Sequence, residues 1–278
     1  MAAPAHPIAW CLELLITIAL AGAIHHSAWA AGQDAAARAA LPAFLVDESE
    51  TGDLNGDGDS ADSVLHVFDA KQRLTLNLGL AAASVCRTTM GPPFFICNPV
   101  LPVVGRAIIA SLVGEFAQGD TDLNGDGDAS DDVLHVYNAA TGAIINTRLA
   151  VAHGLGRDVS SYTFPVVPVI AGDGIALLVG EVEQGETDLN LDGDTEDDVL
   201  HVIEPRAREI LNLELAAATV LGPFGARNPI WPQLDGRDVT FVAGEVEQGG
   251  VDLNGDGDTD DQVTYLLKVQ NSRLRPAK

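Results

Sequence analysis

Residues 122–138 read DLNGDGDASDDVLHVYN, and the opening heptad recurs at Asp53 and Asp252 as DLNGDGD and at Asp188 as DLNLDGD. The four copies begin 69, 66 and 64 residues apart. The likeness continues outward in both directions. Upstream stand FLVDE (44–48), SLVGE (111–115), LLVGE (177–181) and FVAGE (241–245). Downstream stand VLHVFDA (64–70), VLHVYNA (133–139), VLHVIEP (199–205) and VTYLLKV (263–269). After these come LTLNLGLA (74–81), IINTRLA (144–150) and ILNLELA (210–216), which share an Asn and a closing Leu-Ala. A further piece precedes the upstream segment: NPVLPVVGR (98–106), VPVIAGDG (167–174) and NPIWPQLDGR (228–237).

Each unit is therefore four short segments rich in Val, Ile and Leu, punctuated by Gly, Pro, Asn and Asp. None has the length or the 3.6-residue period of a helix. Tandem copies of a four-stranded unit predict an all-β chain built like a β-propeller, with about four blades across residues 43–278. The expected repeats are 43–97, 98–166, 167–227 and 228–278, preceded by a linker over 31–42. The first copy begins at its second strand, because AGQDAAARAALPA (31–43) has little strand propensity. The last stops after its third, leaving QNSRLRPAK. Those two ends can complete one blade, leave open edges, or belong to a larger ring. Open edges make self-association an expected partner mode.

Aligning the acidic loops gives the chemistry. Position 1 is Asp53, Asp122, Asp188 and Asp252, and position 3 is Asn55, Asn124, Asn190 and Asn254. Position 5 is Asp57, Asp126, Asp192 and Asp256, followed by Gly at position 6. Asp59, Asp128, Asp194 and Asp258 fill position 7, and Asp62, Asp131, Asp197 and Asp261 fill position 10. Oxygen donors at 1, 3 and 5 with Gly at 6 let a short loop wrap a hard cation, and six to eight flexible oxygens favour Ca²⁺ over Mg²⁺. No Cys or His lies among these positions, which disfavours zinc, copper and iron. A solvated acidic turn is the alternative for one such loop. Four in one register weigh against it, so up to four Ca²⁺ are expected. The loops hold four, five, six and five acidic residues, half of the chain's 40. Glu48, Glu115, Glu181 and Glu245 end the upstream segments and are either outer ligands or polar strand ends.

These loops resemble those of dockerin, thrombospondin type 3 and FG-GAP (integrin α-type) repeats more than an EF-hand. An EF-hand places Glu at position 12 between two helices, and here position 12 is Val64, Val133, Val199 or Val263. FG-GAP repeats set such a loop between propeller strands, with the closing Asp one position earlier. The string DLNGDGDxxDxVLHVY and the turn Asn138-Ala-Ala-Thr-Gly142 also resemble TolB-like bacterial propellers. The resemblance spans residues 43 to about 270 and implies a calcium-binding, blade-built exported protein. Leu191 replaces Gly at position 4, and Ser63 and Gln262 replace the acid at position 11, so the first and fourth sites are expected to be weaker.

Residues 8–24 (IAWCLELLITIALAGAI) and Ala28-Trp29-Ala30 read as a secretory signal over 1–30, cleaved after Ala30. No Lys or Arg precedes the run and Glu13 interrupts it, so an uncleaved anchor and a misplaced start codon are the alternatives. A secreted, periplasmic or cell-surface location follows. Cys86 and Cys97 are then expected to form a disulfide, worth about 3 kcal/mol on the chain-entropy account, with two buried thiols as the alternative. With 40 acidic against 15 basic residues and a net charge of −25, nucleic acid and anionic membrane surfaces are poor partners.

No G-x-S-x-G, H-E-x-x-H, P-loop or C-x-x-C is present, so no catalytic residue is assigned. His66, His135 and His201 recur within VLHV and are expected to pack, a histidine ring around a pore being the alternative. His153 reads as an inconsequential loop residue. Aromatics are scarce, which disfavours a stacked-ring carbohydrate platform. The expected function is a calcium-stabilised structural or binding module for an unknown protein or surface ligand. A propeller hydrolase or lyase with a site at the blade axis, and a metal-dependent adhesin, are the competing readings.

Overall fold

The computed structural model describes residues 42–69, 72–88, 95–155, 163–221, 227–235, 238–270 and 273–276. The expected signal and its cleavage point lie outside them. The chain divides into two units, Met1–Arg38 and Ala39–Lys278, and the second carries all the described residues.

That unit is built of small antiparallel sheets. The first contains β1 (Ala43–Asp47), β2 (Ser63–Asp69) and β3 (Leu74–Ala81). A hairpin of β4 (Ser84–Thr88) and β5 (Phe95–Pro99) follows. The second sheet is β6 (Val103–Val104), β7 (Ile108–Gly114), β8 (Asp132–Asn138) and β9 (Ala143–Ala150), in that order. A second hairpin, β10 (His153–Leu155) with β11 (Thr163–Pro165), leads to the third sheet. That sheet is β12 (Val169–Ala171), β13 (Gly174–Gly180), β14 (Asp198–Glu204) and β15 (Glu209–Ala216). The hairpin of β16 (Thr219–Leu221) and β17 (Arg227–Pro229) precedes the fourth sheet. There β18 (Gln233–Asp235), β19 (Asp238–Gly244), β20 (Gln262–Gln270) and β21 (Arg273–Pro276) pair in sequence.

Each four-segment unit of sequence is thus one meander, with the acidic loop joining β1 to β2, β7 to β8, β13 to β14 and β19 to β20. Among the described residues the first sheet has three strands, as expected. The last repeat departs from expectation: β21 pairs with β20 from Leu267↔Pro276 to Gln270↔Arg273, so it has four strands rather than three. Three hairpins lie between the units where the sequence pattern shows only connecting segments. No strand pairing joins the first sheet to the fourth among the described residues.

The central strands are apolar on both faces, and each face meets a different neighbour. Along β13, Ile175, Leu177 and Val179 enter a core shared with Ile108, Leu112 and Leu134 of the second sheet. The alternate residues Ala176 and Leu178 enter another core with Phe241 and Leu267 of the fourth. Leu65 and Val67 of the first sheet pack with Ile109, Val113 and Tyr137 of the second. Period-two alternation on a strand buried on both sides therefore makes each sheet the packing surface of the next. Single backbone bridges reinforce this order at Ala82↔Val113, Val151↔Val179 and Ala217↔Ala243.

Candidate metal centre

The four loops share one internal scaffold, and its keystone is the glutamate that ends the preceding strand. Glu48, Glu115, Glu181 and Glu245 are fully buried. One carboxylate oxygen of each accepts the position-2 amide, at 2.6 Å from Leu54, 2.5 Å from Leu123, 2.6 Å from Leu189 and 2.8 Å from Leu253. That oxygen also accepts the position-3 amide, while the other accepts the amide of Asp62, Asp131, Asp197 or Asp261 at 3.0–3.2 Å. One side chain thereby draws both ends of the loop together.

Position 1 finishes the turn. Asp53, Asp122, Asp188 and Asp252 each accept the position-4 amide on Oδ1 and the position-6 amide on Oδ2. The Asn at position 3 accepts the position-5 amide, and the Asp at position 5 accepts the position-7 amide. A second Asn ties the loop to its own sheet: Asn77, Asn146 and Asn212 donate to the carbonyls of Leu54, Leu123 and Leu189 at 2.7–2.8 Å. The shared Asn of the third segment was visible in the sequence, but its partner lies 23 residues upstream.

With the backbone so fixed, carboxylates converge. Ligand oxygens of Glu48, Asp57, Asp59 and Asp62 lie within 4.8 Å of one another. The same holds for Glu115, Asp128 and Asp131, for Glu181, Asp194 and Asp197, and for Glu245, Asp258 and Asp261. Positions 7 and 10 therefore meet the buried Glu in every loop, and position 5 joins them in the first. The side chains of positions 1 and 3, expected as ligands, accept loop amides as described above.

Electrostatics follow from that crowding. Burial, then repulsion from Asp57, Asp59 and Glu48, pushes Asp62 up to about 7. Asp131 rises to about 7 by burial and the charges of Asp126, Glu115 and Asp128. Asp197 does likewise, by burial and the charge of Asp192 before all others. In the third loop Asp192 Oδ2 is buried without a hydrogen-bond partner among the described residues. Clustered hard oxygens, with the orphaned Asp192 oxygen beside Asp197 in the third loop, suit a divalent cation with oxygen preference. The ion would be held by the Glu and by positions 7 and 10, joined by Asp57 in the first loop, and would supply the positive charge these groups lack.

The histidines divide into two kinds. His66, His135 and His201 are buried, and each ring Nδ1 lies 3.0–3.2 Å from the carbonyl two residues earlier. A carbonyl only accepts, so Nδ1 carries the proton. Burial lowers His135, and lowers His201 to about 4, which makes both neutral packing groups. His153 differs from its reading as a bystander. Its Nε2 lies 3.1 Å from Asp132 and its Nδ1 3.3 Å from Glu183. Burial opposes its charge, yet these two carboxylates outweigh burial and hold its pKa up to about 10. No protein-family model matches the chain, and no curated protein matches it.

Proposed function

We propose that this chain is an exported calcium-binding β-repeat protein, its sheets arranged as propeller-like blades, serving as a structural or binding module. The observation that carries the reading is the fourfold convergence of a buried Glu with the position-7 and position-10 carboxylates. Their crowding raises the free energy of the metal-free loops, so cation binding is felt as folding stability. Sites of the ~10⁻⁴ to 10⁻³ M class fill at extracellular calcium. The Cys86↔Cys97 register of the first hairpin supports a disulfide in the same oxidising setting.

Calcium titration by calorimetry should give a stoichiometry approaching four, and EGTA should lower the melting temperature markedly. An unchanged melt in EGTA would sink the reading. Mass spectrometry after alkylation without reduction tests the disulfide, and two modified thiols at Cys86 and Cys97 would refute it.

A further inference from the structure

Three of the four loops are sealed by the repeat that follows them, through one recurring contact. Asn55, Asn124 and Asn190 donate from Nδ2 to the carbonyls of Ala117, Glu183 and Glu247 in the next repeat, at 2.9–3.0 Å. These carbonyls belong to a Glu-x-x-Gln-Gly turn that starts at Glu115, Glu181 or Glu245. Its Gln reaches back: Gln118, Gln184 and Gln248 accept the amides of Ala81, Ala150 and Ala216 in the preceding sheet, each at 3.0 Å. Its Gly is obligatory. At Gly119, Gly185 and Gly249 a Cβ would stand 2.7–2.8 Å from the Cβ of Asp57, Asp126 and Asp192, and φ is +67° to +72°.

The fourth loop carries the same receptor half, and among the described residues no such turn covers it. Asn254 and Asp256 are exposed, whereas Asn124 and Asn190 are buried. The Asn254 amide keeps the bonds to Asp256 and Asp261 of its own loop, as Asn124 keeps those to Asp126 and Asp131, and lacks only the bond to a following repeat among the described residues. A head-to-tail second copy does not complete it, because the first repeat reads Glu48-Ser-Glu-Thr-Gly52, two residues shorter between Glu and the loop and without the Gln. We infer that the face around Asn254 is a docking surface for a Glu-x-x-Gln-Gly turn carried by a further repeat of this type, one outside residues 42–276. The interface is polar, directional and used three times within the molecule, which states what its partner must offer.

The test installs the missing half. In the full chain, Glu48–Gly52 is replaced by the sequence of residues 181–187 (EVEQGET), and sedimentation velocity compares this graft with the parent at equal concentration. The graft should associate into dimers and longer species, and adding Asn254→Ala should return it to the parent's sedimentation coefficient. A graft that melts cooperatively yet sediments as the parent overturns the proposal, as does association that survives Asn254→Ala. Should the graft lose its cooperative melt, a cyclised peptide of residues 179–188 titrated into the parent chain decides. Movement of the Asn254 side-chain amide resonances, lost when the peptide carries Gln184→Ala, supports the surface. No movement at millimolar peptide refutes it.

Discussion

Glu181 shows how much one side chain organises. It is fully buried, and three loop amides end on its carboxylate. Glu181→Ala leaves those buried donors without an acceptor, at a cost of about 3 kcal/mol or more. Urea denaturation should show that loss, and calorimetry should show one fewer calcium bound. The titrating residues set an unusual pH response. Asp62, Asp131 and Asp197 have folded pKa values raised to about 7, and Asp198 reaches about 8 through burial and its neighbours Glu183 and Asp197. A raised carboxyl pKa means the folded state holds the proton more tightly than the unfolded chain does. Its contribution is complete below about pH 4 and is lost as pH rises through 7 to 8. His153, also raised, adds stability below about pH 6.5 that disappears as pH climbs through about 10. The chelated protein should therefore melt at progressively lower temperature from pH 5 to pH 9. A flat or rising profile in thermal melts would contradict this assignment.

At the scale of the element, the loop and the turn that covers it form one device. Gly185→Ala places a methyl against Asp126 and asks an L-residue to hold φ +71°, so a loss of about 1–3 kcal/mol is expected in thermal or chemical melts. The acidic loops were legible because their ligands are local: donor spacing, glycine and the flanking strands all lie within one stretch of sequence. The central strands were legible for a related reason, their apolar runs being continuous. What escaped the reading depends on partners far along the chain. Gln118 is an ordinary turn residue until Ala81 is placed against it. RLRP (273–276) carries no apolar pattern of its own and reads as a basic tail, yet the edge of β20 makes it a strand. His153 shows the same limit, since Asp132 and Glu183 meet it only across two repeats.

Across the second unit, each core belongs to two consecutive sheets, so stability is approximately a sum of neighbour terms. Phe241, wholly buried between the third and fourth sheets, is the sharpest probe. Phe241→Ala should cost about 3–5 kcal/mol. Hydrogen exchange should accelerate in the third and fourth sheets before the first. The net charge belongs to this scale too. Four bound Ca²⁺ would move the formal charge of the whole chain from −25 to −17, relieving the places where repulsion is densest.

The covering turns also impose a timetable. Loop one is finished only when the segment at Ala117 and Gln118 has folded onto it, and loop two waits in turn for Glu183 and Gln184. A chain emerging from its amino terminus therefore completes each of the first three acidic loops one repeat after that loop has appeared. Maturation runs behind emergence by a constant lag, like stitches each locked by the next.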